Sequence, residues 1–185
     1  MQIESGLFPD EETLRGAVKK LEEGVTKSDL IILCTPMSEY KNIILKMNPH
    51  LSKKTIITDI GSSKIETSKI IKKFLKKNII WTQGHPIAGS EVSGPENGKH
   101  DIFEKKWCVL IRDNKTKKKH IAMLSNFWKK MGSKIVVMTA EKHDKIFSIT
   151  SHLPHLIAYN LVKSAQDFEK MQNYDLIKYS AGGLR

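Results

Sequence analysis

Cysteine, arginine and long apolar runs are all scarce in this chain. The two cysteines, Cys34 and Cys108, lie far apart inside apolar stretches, so neither a disulfide framework nor a zinc knuckle is indicated. Both are expected to be reduced and buried. No run approaches the roughly 18 to 20 uninterrupted apolar residues that a membrane span requires, and the first twenty residues are too acidic and polar for a signal peptide. A soluble, cytoplasmic protein that does not engage a membrane is therefore expected. Arginine is confined to Arg15, Arg112 and Arg185, although the net charge is +11. Arginine is the usual side chain for bidentate phosphate and base contacts. The lysine clusters "KKFLKK" (72–77) and "KTKKKH" (115–120) thus suit the solvated faces of amphipathic helices, and no nucleic-acid partner is expected. The positive field still favours small polyanionic substrates.

With 185 residues, 39% of them hydrophobic, the chain is long enough to bury about 70% of its unfolded surface. From Asp29 onward, short apolar runs alternate with longer amphipathic ones. "DLIILCTP" (29–36) predicts a buried parallel strand ended by Thr-Pro, and "SEYKNIILKM" predicts a helix capped by Ser38 and stopped before Pro49. "KTIITDIGSS" (54–63) predicts a second strand and its exit, followed by a helix over "KIETSKIIKKFLKK" with Ile71, Phe74 and Leu75 on one face. "NIIWTQ" (78–83) is a third strand that leaves into the loop "GHPIAGSEVSGPENG". "KWCVLIR" is a fourth, "HIAMLSNFWKKM" a helix with Ile121, Leu124 and Trp128 on one stripe, and "SKIVVMT" a fifth strand. This alternation predicts an α/β fold with a mainly parallel sheet. After Thr139 one long helical pattern takes over, interrupted by Pro154, which frees the carbonyl of Thr150 and predicts a kink. The expected division is 1–139 for the α/β domain and 140–185 for the start of a helical one.

Ligands of open α/β sheets collect at the carboxyl ends of the strands. Three strands here end in turns of small polar residues: Thr35-Pro36, "DIGSS" (59–63) and "GHPIAGSE" (84–91). His85 is a candidate acid or base, because imidazole titrates near neutrality. Ser62 is a candidate donor to substrate or cofactor. Spacing alone leaves open the alternative that His85 merely caps a strand end and Ser62 a helix. In "SHLPHL" (151–156), His152 and His155 are three apart, but a zinc site wants a third ligand and no matching one is present, so no metal is expected.

"DLIILCTP", "TDIGSSK", "GHPIAGSEVSG", "SHLPHLIAYNLV" and "SAGGLR", in this order, resemble the prephenate dehydrogenase family, including arogenate dehydrogenases. The resemblance covers about residues 29 to 185. It implies NAD- or NADP-dependent oxidative decarboxylation of prephenate, or of arogenate, on the route to tyrosine. By the same resemblance His85 is the base that accepts the ring hydroxyl's proton, and Ser62 touches both that hydroxyl and the cofactor. Glu91, Ser151 and His155 match substrate-binding positions. Thr35, Pro36, Asp59 and Ser62, at the strand exits, are the expected cofactor-binding residues. A homodimer is implied, as in complete family members.

The family also has a leading strand, a Gly-x-Gly-x-x-Gly turn and a helix that holds the pyrophosphate, and a later Asp and substrate-anchoring arginine. Neither set is found here. The expected fold class is therefore a partial Rossmann-like sheet without its first strand-turn-helix unit, followed by the first helix of an all-α domain. The chain looks truncated at both ends, and in isolation is expected to show little or no dehydrogenase activity. The alternative expectation is an inactive remnant or interaction module of the same family.

Overall fold

A computed structural model describes residues 21–89, 98–114, 116–172 and 178. The chain divides into two compact units, 1–143 and 144–185. Among the described residues, the first elements of the first unit are helix α1 (Leu21–Lys27), strand β1 (Leu30–Leu33) and, after a 3-10 turn at Met37–Glu39, helix α2 (Tyr40–Met47). Strand β2 (Ile56–Asp59), helix α3 (Ile65–Phe74) and the short strand β3 (Ile80–Trp81) follow. Next come β4 (Gly84–Pro86), β5 (Trp107–Ile111), helix α4 (Lys118–Lys130) and β6 (Lys134–Met138).

β1, β2 and β3 pair in parallel, with Leu33 opposite Asp59 and Ile57 opposite Trp81. β4 pairs antiparallel with β5, and β5 pairs parallel with β6. Residues 80–86 join the two ladders. Thr82 donates its amide to the Ile57 carbonyl on one side, while Ile111 donates to the Gln83 carbonyl on the other.

Alternation along the strands buries both sheet faces. Ile31, Leu33 and Ile57 pack with Val25, Tyr40, Ile44 and Met47 beneath α1 and α2. On the opposite face Cys108 and Leu110 meet Leu124 and Trp128 of α4, with Leu30, Ile60, Ile121 and Ile135 around them. Leu124 is fully buried, and burying one leucine side chain contributes about 1.5 to 3 kcal/mol. Phe103 and Phe127 set their rings edge-on to Trp128, with centroids 5.2 Å away in both pairs.

Several local expectations are corrected. Ser38 caps no helix: it lies inside the 3-10 turn, and α2 starts at Tyr40 without a side-chain cap. α3 stops at Phe74 rather than running to Lys77, because Asn48 donates to the Phe74 carbonyl and accepts from the Lys76 amide while Leu75 turns extended. Its core-facing residues are Ile70, Phe74 and Leu75, in place of Ile71. Cys34 is exposed, because β1 ends one residue before it; Cys108 is buried, and both are free thiols. The first three residues of the glycine-rich loop form β4.

The helical pattern after Thr139 is two helices, α5 (Ala140–Phe147) and α6 (Leu153–Gln172), separated by a π-turn at Ser148–His152. The Leu153 amide bonds the Ser148 carbonyl, five residues back. Pro154 falls at the second position of α6, so its missing N–H lies where the backbone passes from the π-turn into the α-helix. In the second unit Leu156, Ile157, Tyr159 and Leu161 of α6 are exposed. No helix among the described residues is long and apolar enough to cross a membrane.

Candidate active site

Parallel pairing places the exits of β1 and β2 at one edge of the sheet, and β4 continues β3 to the same edge. Thr35 and Pro36 are exposed just past β1. Asp59, the last residue of β2, is buried, and past it Gly61 is half-buried and Ser62 exposed. Gly61 is closely approached: a Cβ there would lie 3.0 Å from both Met37 Sδ and Tyr40 Oη and 3.1 Å from Asp59 Oδ2, so these side chains would have to give way.

Asp59 is turned inward. Its Oδ2 accepts from the Lys64 ammonium at 2.7 Å and from the Gly61 amide at 3.1 Å, and both ion-pair side chains are wholly inaccessible. Burial pushes the Asp59 carboxyl upward, and the Lys64 cation opposes that shift. Burial, followed by the Asp59 charge, also raises the Tyr40 hydroxyl. The Cys34 thiol is raised by the same two causes. Burial takes Cys108 up to about 12. A carboxylate enclosed in this way supports the turn that presents Ser62 and does not itself reach toward a ligand at the sheet edge.

His85 stands in the middle of β4, half-buried, opposite Val109. Its Nδ1 is 2.7 Å from Nε2 of His143 on α5, and the ring centroids are 5.0 Å apart. His143 is wholly buried and donates its amide to the Thr139 carbonyl at the helix start. Sequence reasoning missed His143. Its only signal was an imidazole on an amphipathic helix just after the last strand, 58 residues from its partner.

Glu91 lies outside the described residues. Ser151 occupies the π-turn of the second unit and is half-buried. His155 is exposed on α6, stacked on Tyr159 with centroids 6.4 Å apart. Thus the first unit brings Thr35, Pro36, Ser62 and His85 to one sheet edge, and Ser151 and His155 belong to the second. No cluster of metal-ligating side chains occurs among the described residues.

Residues 11–137 match the nucleotide-binding domain of prephenate dehydrogenase, and residues 139–185 match its dimerization domain. The chain belongs to the prephenate dehydrogenase family. Cyclohexadienyl dehydrogenase of Zymomonas mobilis is 36% identical over 165 residues, covering 89% of this chain and 56% of that protein. Prephenate dehydrogenase of Aquifex aeolicus superposes with a TM-score of 0.82 at 30% identity, over 94% of this chain and 65% of that one. A crystal structure of the Aquifex aeolicus enzyme with hydroxyphenyl propionate and NAD+ gives 0.79 at 33% identity, over 89% and 56%. The chain spans about half the length of the curated relatives it matches. Residues 11–137, matching a prephenate dehydrogenase nucleotide-binding domain, account for the α/β sheet. Thr35, Pro36 and Ser62 leave the strand-exit edge open, and Thr35 and Ser62 present hydroxyls there.

Proposed function

We propose that the protein carries out the NAD- or NADP-linked oxidative decarboxylation of prephenate to 4-hydroxyphenylpyruvate, with His85 as the base, so that turnover by this chain replaces the little or no activity expected from its sequence. The observation that carries this reading is the 2.7 Å contact between His85 Nδ1 and His143 Nε2. Only one proton fits between these nitrogens. When Nδ1 of His85 donates it, Nε2 of His85 is the basic nitrogen, and the ring is held in the tautomer that accepts a proton from the substrate's ring hydroxyl.

The dinucleotide, when bound, supplies the hydride acceptor. Thr35, Pro36 and Ser62 would hold it at the strand exits, and Ser62 would share a hydrogen bond with the substrate hydroxyl. Glu91, Ser151 and His155 are the proposed substrate-binding residues. His85 takes on positive charge as the hydroxyl-bearing carbon is oxidised. Carbon dioxide then leaves, its bonding electrons complete the aromatic ring, and His85 returns the proton to the phenol. The chain's task is therefore orientation together with one proton transfer.

The exposed apolar side chains of α6, within the segment that matches a dimerization domain, favour a second copy of this chain as partner. They also favour a second reading, in which the polypeptide is an interaction module without turnover. Single-turnover assays with prephenate and excess NAD+ or NADP+ distinguish the two. Equal yields of reduced cofactor and hydroxyphenylpyruvate, lost in His85→Asn, support the enzyme. Self-association without product supports the module.

A further inference from the structure

Lys64 is the most deeply buried cation among the described residues: its side chain has no accessible surface, and α3 begins immediately after it. Its ammonium donates to Asp59 Oδ2 at 2.7 Å and also to the Gly84 carbonyl. Its own carbonyl accepts from Gln83 Nε2 at 3.0 Å, and Gln83 Oε1 in turn accepts from Ser68 Oγ at 3.0 Å. One residue thus contacts the two positions directly before His85 and the residue three before Ser62.

The reason lies in the ladder. Ile111 donates to Gln83 and Ile87 donates to Trp107, so the odd-numbered residues of this strand bond β5. The carbonyl of Gly84 must then face the other way, toward the end of β2. There the regular ladder has stopped: its last bond on that side is Thr82 to Ile57. Gly84 sits so close that a Cβ would lie 3.1 Å from the Asp59 carbonyl oxygen. The ammonium of Lys64 replaces the absent ladder donor, and Asp59 compensates its charge.

We infer that Lys64 is a positioning residue: by binding the Gly84 carbonyl while tied to Asp59, it fixes the strand that carries His85 against the turn that carries Ser62. The inference rests on the roles proposed above for these two residues. A strand of three residues that contains glycine and proline has little ladder of its own to hold its depth in the sheet. Lys64 supplies that constraint from the side facing β2.

The test uses the full 185-residue chain and Asp59→Asn/Lys64→Met, which removes both charges together and so leaves no unpaired buried ion. Asp59→Asn keeps a side-chain oxygen to accept from the Gly61 amide. The first readout is the downfield NMR signal of the proton shared by His85 and His143, assigned by its loss in His143→Leu. It is expected to broaden or move upfield in the double variant. The second is prephenate turnover, in which kcat is expected to fall about tenfold to a hundredfold with KM nearly unchanged, as a small misplacement of the base implies. Gln83→Met cuts only the side-chain bonds that Gln83 makes to the Lys64 carbonyl and Ser68, and is expected to shift both readouts less, in the same direction. A folded double variant, or failing that a folded Gln83→Met, with the shared-proton signal and kcat of the unaltered protein overturns the inference. If the signal moves as expected but even the unaltered protein does not oxidise prephenate, the proposed function fails while the positioning by Lys64 stands.

Discussion

Nδ1 of His85 and Nε2 of His143 lie 2.7 Å apart, linking the middle of β4 to the first helix after β6. Because His143 is wholly buried, it reaches His85 without competition from bulk water. His143 orients the proposed base through this contact. His143→Leu is expected to lower kcat about tenfold to a hundredfold and, by taking a buried hydrogen-bond partner from His85, to cost about 1 to 3 kcal/mol of stability. His143→Gln keeps an acceptor and is expected to recover part of the rate. Steady-state kinetics with denaturant titration of both variants checks this.

Gly84 has no room for a side chain. An added methyl would meet the Asp59 carbonyl oxygen at 3.1 Å and Thr58 Oγ1 at 3.3 Å, both on the rigid end of β2. Gly84→Ala is expected to cost about 1 to 3 kcal/mol in chemical denaturation. Gly89, whose added Cβ would meet nothing within 4 Å, serves as the control and is expected to tolerate alanine.

The imidazole of His120 is held below its ordinary range, first by burial and then by Lys119 and Lys117. The folded state therefore binds this proton less readily than the unfolded chain does. Stability relative to His120→Gln is expected to be constant above about pH 7 and to decline as the pH drops below the unfolded-state value of about 6.5. Thermal melts of both proteins across this range test the sign.

The two thiols differ in access and share a resistance to ionisation. Cys108 is inaccessible, with a thiol pushed up to about 12, whereas Cys34 is exposed with a thiol that burial and Asp59 raise above its ordinary value. A disulfide reagent at about pH 8 is expected to modify Cys34 slowly and Cys108 only after unfolding, since the thiolate is the reactive form. Fast reaction of two thiols in the native protein would contradict the burial of Cys108.

Where strands are continuous apolar runs, they are legible in the sequence. "LIIL", "IITD", "WCVLI" and "KIVVM" all form strands close to their expected positions. β4 was not legible, because Gly84 and Pro86 are ordinarily loop residues. Pro86 is tolerated since its position faces away from β5, where no ladder donor is needed. The strand-exit turns holding Thr35 and Ser62 were legible from their small polar residues, whereas His85, expected in such a turn, lies in β4. The buried pairing of Asp59 with Lys64 was not, since nothing in "DIGSSK" tells whether its acid and base point inward or outward. His143 stayed hidden because its role depends on a contact far along the chain. Pro154 marked a break in the long helical pattern, but the π-turn that absorbs it depends on backbone bonds that side-chain periodicity does not record.

The most direct test of the account is a single-turnover measurement of prephenate oxidation, following absorbance of the reduced cofactor, with the unaltered chain and His85→Asn at excess NAD+ or NADP+. The account predicts one equivalent of reduced cofactor matched by hydroxyphenylpyruvate, with a rate about 100- to 10,000-fold lower in His85→Asn, the usual contribution of a general base. No product from the folded, unaltered chain, or an undiminished rate in His85→Asn, would contradict it.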